Sequence, residues 1–182
     1  MKEIILEAHR GVASEYPENT LPAFKAAKEQ GYGMIELDTK FTLDNRCVIL
    51  HNRTINATAR YRDGRKIEKE IPIDSISFDQ AREYDYGLWM EEEFRGTVIP
   101  TLEETLSFAL ENSIPLKFDS VMQSHTKKQL DIFFDTVEKM NALSFTGFTS
   151  NNAEFIKKII SRFPEAQIHY DGNTDEKSII EV

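Results

Sequence analysis

The sequence predicts an α/β protein of the (β/α)8 TIM-barrel type, apparently incomplete, with about six β/α units and an insertion after the third strand. Three observations carry that prediction. Short apolar runs alternate with stretches of helical periodicity, which implies parallel strands joined by right-handed crossovers. Residues 53–100 interrupt the alternation with polar, turn-rich sequence. The apolar runs end in His, Glu, Asp and Lys, and polar residues at C-terminal strand ends favour a barrel over an open doubly wound sheet.

Residues 4–8 (IILEA) form a short apolar run ending at His9-Arg10-Gly11, as expected of a buried strand feeding a loop. Asn19 or Thr20 caps the first helix, Pro22 sits in its first turn, and Gly31 and Gly33 stop it. The second strand is expected at 34–38 (MIELD) and the third at 47–50 (CVIL), directly before His51. Within the insertion a helix is expected near Phe78 to Tyr84, with Tyr84, Tyr86 and Trp89 as its local core. Thr101 and Glu104 have capping-box spacing for a helix that leads to the fourth strand, 115–119 (PLKFD). A helix over about 125–140, a fifth strand at 142–146, a helix over about 151–162 and a sixth strand at 166–170 follow. One further helical turn is expected after Asp171. A closed barrel needs eight strands, so six imply strands supplied from elsewhere or an open sheet with exposed edges.

The 182 residues, 40% hydrophobic and 29% charged, suit one domain over residues 1–182 that contains the 53–100 insertion. Lys and Arg total 22 against 31 Asp and Glu, a formal charge of -9 that argues against a nucleic-acid partner. Cys47 is the single cysteine, which excludes an internal disulfide and suits a small buried residue in a reducing compartment. The opening Met1-Lys2-Glu3 and its brief apolar run do not resemble a signal peptide, and no run of about 18 apolar residues follows. A cytoplasmic protein without stable membrane insertion is the expectation.

Chemistry concentrates at the strand ends: His9 after the first, Glu36 and Asp38 on the second, His51 after the third, Lys117 and Asp119 on the fourth. Residues two apart on a strand share a face, so each of the pairs Glu36/Asp38 and Lys117/Asp119 points to one side. Carboxylates gathered there repel one another, and a bound divalent cation offsets that repulsion. Oxygen donors favour Mg²⁺ or Ca²⁺ over zinc. Two histidines suit proton transfer near neutral pH, one taking a proton from a nucleophile and the other giving one to a leaving oxygen, as a phosphodiester requires. Arg10 and Lys117 are placed to hold phosphate oxygens. His125, at a helix start, and His169 are assigned ordinary structural roles.

The stretch AHRGVASEYPENTLPAFKAAKEQGYGMIELDTKFTLDNRCVILHN resembles the opening of the glycerophosphodiester phosphodiesterase family. His9-Arg10-Gly11, Pro17-Glu18-Asn19-Thr20, Glu36-x-Asp38, Thr42-x-Asp44 and His51 carry the resemblance in order and spacing, and it continues through Asp85 to Trp89 and Ile99 to Glu104. It implies a TIM barrel, a divalent metal on Glu36 and Asp38, acid–base roles for His9 and His51, and phosphate contact from Arg10. It also implies hydrolysis of small-molecule glycerophosphodiesters to an alcohol and glycerol 3-phosphate. Three departures stand out. Where the family's fourth strand usually reads Glu-x-Lys, this chain has Lys117-x-Asp119, so Asp119 is the third metal ligand and Lys117 the phosphate-binding residue only with exchanged positions. Asn52 follows His51 where the family often has Asp, and the two closing strands of the barrel are absent. Two other readings compete: a non-catalytic phosphate- or metal-binding truncated barrel, and a lipid-directed phosphodiesterase of the lysophospholipase D or sphingomyelinase D type. The insertion is further expected to cap the pocket or to form the interface of a homo-oligomer.

Overall fold

The computed structural model describes residues 4–172. Its main sheet is five-stranded and parallel, built from β1 (Glu7–His9), β2 (Met34–Leu37), β5 (Leu116–Phe118), β6 (Thr146–Ser150) and β7 (Gln167–Tyr170), in that spatial order. Strand order follows chain order without reversal. A doubly wound sheet would reverse at a switch point; an unbroken progression is the winding of a barrel wall.

Four helices form the crossovers: α1 (Leu21–Glu29), α3 (Leu102–Asn112), α4 (Lys127–Lys139) and α5 (Ala153–Arg162). Each starts where the local sequence terminates backbone donors. Thr101 accepts from Glu104 N–H while the Glu104 side chain accepts from Thr101 N–H, the expected capping box, and Thr126 and Gln129 repeat it at α4. Asn152 caps α5 through Phe155 N–H. Thr20 precedes α1 but its hydroxyl turns back to donate to Pro17 O at 2.5 Å, and Pro22 occupies the first turn. Ile35, Leu37, Leu116, Phe118 and Phe148 on the strands bury against Phe24, Leu106, Phe133 and Phe134 on the helices. Phe133 meets Phe118 edge to face at 4.8 Å. The opposite sheet face carries the charged residues.

The expected third strand is corrected. Residues 47–50 do not join the parallel sheet; β4 (Cys47–Ile49) pairs antiparallel with β3 (Thr39–Phe41), which continues directly from β2. Between them Thr42 N–H bonds Arg46 O at 3.1 Å, Thr42 donates to Asp44 Oδ1, and Asn45 takes a positive φ of 61°. Asp44-Asn45 between two apolar runs is a hairpin signal, and the Thr42-x-Asp44 motif is the turn itself. The insertion therefore leaves from a hairpin, and the parallel strands among the described residues number five.

Two strand boundaries also move. The sheet begins at Glu7 rather than Ile4, because pairing with β2 starts at Glu7 opposite Met34, and Ile4, Ile5 and Leu6 stay exposed. The fifth strand lies at 146–150 rather than 142–146. Asn141 at φ 53° ends α4, Leu143–Phe145 form a 3-10 turn, and Phe148 rather than Leu143 anchors the strand. The helical turn expected after Asp171 lies outside the described residues.

Residues 53–100 gather a second apolar cluster on the face of β4 turned away from the helix-side core, comprising Val48, Leu50, Ile55, Ile73, Tyr86 and Ile99 among others. Tyr84 packs against it; Trp89 stays outside, donating from Nε1 to Tyr86 O at 3.1 Å. Buried Asp85 accepts from Gly87, Leu88 and Gly96 N–H at 2.8, 2.9 and 2.6 Å. The only regular helix there is α2 (Phe78–Ala81).

Gly11 sets the loop that carries the first site residues. It has φ 81°, and a Cβ there would stand 2.7 Å from Ala23 Cβ at the start of α1. Gly11→Ala is expected to cost about 2–4 kcal/mol from backbone strain and overlap. A melting temperature lowered by about 5 °C or more checks it.

Candidate active site

The parallel register aligns His9, Glu36, Lys117 and Gly147 across the sheet. His9 Nε2 lies 3.8 Å from Glu36 Oε2, with the histidine side chain 67% exposed and the glutamate 7%. Arg10 adopts a left-handed φ of 56°, which turns the chain so that its N–H reaches both Glu36 O at 2.8 Å and Glu36 Oε2 at 3.3 Å. Its guanidinium is bonded through Nη1 to Glu18 at 3.2 Å, while Nε, buried without a hydrogen-bond partner among the described residues, stands 3.5 Å from Asp38 Oδ2.

Asp38 is 3% exposed and is held by Asn19, whose Nδ2 donates to Asp38 Oδ2 at 3.0 Å and whose Oδ1 accepts from Asp38 N–H at 3.3 Å. Asn19, itself at φ 57°, was legible in the sequence as part of Pro-Glu-Asn-Thr but not as the clamp on Asp38. Leu50 N–H bonds Asp38 O at 3.0 Å, so the hairpin delivers His51 beside the second strand's acidic end without being a barrel strand. His51 Nδ1 is 2.9 Å from Asn52 Oδ1. Asp119 follows β5, its N–H bonding Leu37 O at 3.0 Å.

Glu36 shows how crowded these acids are. Burial and then Asp38 push its carboxyl up to about 7; Asp119 and Glu7 push the same way, and the Arg10 N–H pulls it down. Among the described residues, no three acidic, imidazole or thiol groups already enclose an ion-sized space. The donor chemistry nevertheless suits a hard divalent cation: carboxylate oxygens share a buried rim whose mutual repulsion is incompletely offset.

Lys117 goes elsewhere. Its Nζ bonds Glu7 Oε2 at 2.6 Å, toward the N-terminal end of β1, two residues from His9 and away from the rim. Lys40, unassigned from the sequence, is half-buried near the rim; burial lowers its ammonium pKa while Asp38 and Asp119 raise it. The spacing Glu36-x-Asp38-x-Lys40 was the signal that could have found it. His125 is structural: Nε2 lies 3.0 Å from Thr39 Oγ1, and the ring meets Phe41 edge on. Burial and then Lys40 hold its pKa down at about 4. His169 lies on β7 opposite Thr149 in the strand register, away from the rim carboxylates.

Fold and rim together define a barrel-type α/β protein with histidine and carboxylate side chains gathered at its C-terminal strand ends. The chain belongs to the glycerophosphoryl diester phosphodiesterase family, which it matches over residues 9–172. A glycerophosphodiester phosphodiesterase of Caldanaerobacter subterraneus is 38% identical over 104 residues, 57% of this chain and 39% of that protein. Bovine glycerophosphodiester phosphodiesterase 1 is 31% identical over 126 residues, 68% of this chain and 35% of that protein. A solved Silicibacter pomeroyi structure described as a glycerophosphoryl diester phosphodiesterase superposes with a TM-score of 0.77 at 21% identity, covering 92% of this chain and 64% of that one. An Oleispira antarctica phosphodiesterase, solved in complex with the product sn-glycerol-3-phosphate, gives 0.73 at 20% identity, covering 92% and 65%. The matched stretches thus span well under half of the curated relatives and about two thirds of the solved chains. Among the described residues no helix is long and apolar enough to cross a membrane.

Proposed function

We propose that this chain hydrolyses glycerophosphodiesters to an alcohol and glycerol 3-phosphate, with a divalent metal as cofactor. The observation that carries the reading is the contact set at the second strand: buried Glu36 and Asp38, with His9 3.8 Å from the first and Arg10 3.5 Å from the second. Family membership and the names of the relatives support the substrate class.

Glu36 and Asp38, with Asp119, would hold Mg²⁺ or Ca²⁺, which when bound offsets negative charge on the phosphoryl oxygens. The remaining steps belong to side chains. With Asn52 Oδ1 accepting from Nδ1–H, His51 keeps a lone pair on Nε2 and takes the proton of the attacking hydroxyl, from water or from the neighbouring glycerol. As the new P–O bond forms, the bond to the alcohol oxygen breaks, and His9 supplies that oxygen with a proton; where the glycerol hydroxyl attacks, water then opens the cyclic phosphate to glycerol 3-phosphate. Glu36, 3.8 Å from His9 Nε2, holds the ring at the rim for this donation. Arg10, pinned between Glu18 and Asp38, presents a fixed positive charge to the phosphate.

Hydrolysis of a chromogenic phosphodiester such as bis(p-nitrophenyl) phosphate tests this reading against the non-catalytic one. Divalent-ion-stimulated release of nitrophenol, lost in His51→Ala, is expected. Equal release by wild type and variant would remove the reading.

A further inference from the structure

We propose that Lys40 is the lysine that holds the phosphoryl oxygens of the substrate in this chain, a role the sequence pattern gives to Lys117. The proposal rests on the phosphodiesterase reading above and names a substrate-binding residue for that site.

The argument begins with alternation. Ile35, Leu37 and Phe41 all enter the helix-side core, so the strand keeps its pleat from β2 through β3. Glu36, Asp38 and Lys40 therefore share the opposite side, and Lys40 continues the acidic row one step further toward the mouth. Asp38, Asp119 and Arg10 are the charges that face its ammonium, and all three belong to the rim.

The two cations assigned to the phosphate from the sequence, Lys117 and Arg10, are committed. Lys117 is bonded to Glu7 at 2.6 Å, and Arg10 to Glu18 at 3.2 Å, with Asp38 at ion-pair distance from its Nε. Lys40 Nζ makes one hydrogen bond among the described residues, a long one of 3.4 Å to Thr39 O. It also borders a cavity of about 170 Å³ with Arg53, Asp74, Ser124, His125 and Gln129, so open space adjoins it. A half-buried ammonium on a flexible stem, beside open space and with only a weak internal partner, suits an incoming phosphate oxygen, because the charge-assisted bond replaces little.

The test is titration of glycerol 3-phosphate by calorimetry, with and without Mg²⁺, on wild type, Lys40→Met, Lys40→Arg and Lys117→Met, each checked for folding by its melt. Lys40→Met is expected to raise Kd about tenfold or more, Lys40→Arg to recover most of that loss, and Lys117→Met to weaken binding less than Lys40→Met. Unchanged binding in Lys40→Met overturns the proposal. So does a larger loss in Lys117→Met, or a wild type that binds no glycerol 3-phosphate. Should Lys117→Met not fold, Glu7→Gln frees Lys117 instead, and tighter binding that no longer needs Lys40 would overturn the assignment. Wild type that binds through Lys40 but hydrolyses nothing would keep Lys40 in place and remove the hydrolytic reading alone.

Discussion

Alanine at His51 or at His9 is expected to lower kcat on a glycerophosphodiester by about 10²–10⁴-fold, the usual contribution of a positioned acid or base. The two losses should not be alike. His9 is mostly exposed and its one ion-pair partner among the described residues is Glu36, so removing it leaves the fold intact and deprives only the leaving oxygen of its proton. An activated leaving group such as nitrophenolate needs that proton less, so His9→Ala should be milder on nitrophenyl esters than on a natural alcohol. His51→Ala should be severe on both, since either substrate needs a proton taken from its attacking hydroxyl. Steady-state kinetics on the two substrate classes reads the difference; equal sensitivity of both variants would exchange or merge the roles.

Glu36→Gln is the second large effect, and it has two opposite parts. The folded carboxyl titrates near 7 against an ordinary value of 4.5. A raised acid contributes stability that is fully present below about 4.5 and is lost as pH rises through about 7, because above that the buried group must ionise beside Asp38 and Asp119. Glutamine is the permanent mimic of the protonated form. The metal-free variant should therefore exceed wild type by about 2–3 kcal/mol at pH 8. That is a melting temperature higher by about 4–10 °C, with the gap shrinking toward pH 5. The same substitution should abolish the stabilisation that added Mg²⁺ or Ca²⁺ gives wild type at pH 8. A gain in stability together with loss of ion response is the signature of a site that holds strain for function. A variant less stable than wild type at pH 8 would mean that Glu36 is structural.

How far the sequence led depends on the range of each interaction. Helix starts were legible because Thr101/Glu104 and similar boxes act over three residues. The acid pair on β2 was legible because strand alternation acts over two. The hairpin that carries His51 was misread as a barrel strand, since CVIL fits a buried parallel strand as well as a ribbon against β3, and only the Asp44-Asn45 turn distinguishes them. The pairing of Lys117 with Glu7 spans 110 residues of chain and depends on which face of two non-adjacent strands coincides. No local pattern reports it. Nor could Pro-Glu-Asn-Thr reveal that Asn19 clamps Asp38 while Glu18 pins Arg10, because that depends on the left-handed turns at Arg10 and Asn19.

The most direct measurement is release of glycerol 3-phosphate from glycerophosphocholine and glycerophosphoethanolamine, with and without Mg²⁺ or Ca²⁺, using His51→Ala as control. Release that requires the ion and disappears in the variant is the expected result. Folded protein that releases none under any of these conditions, or releases it equally without His51, would contradict the assignment.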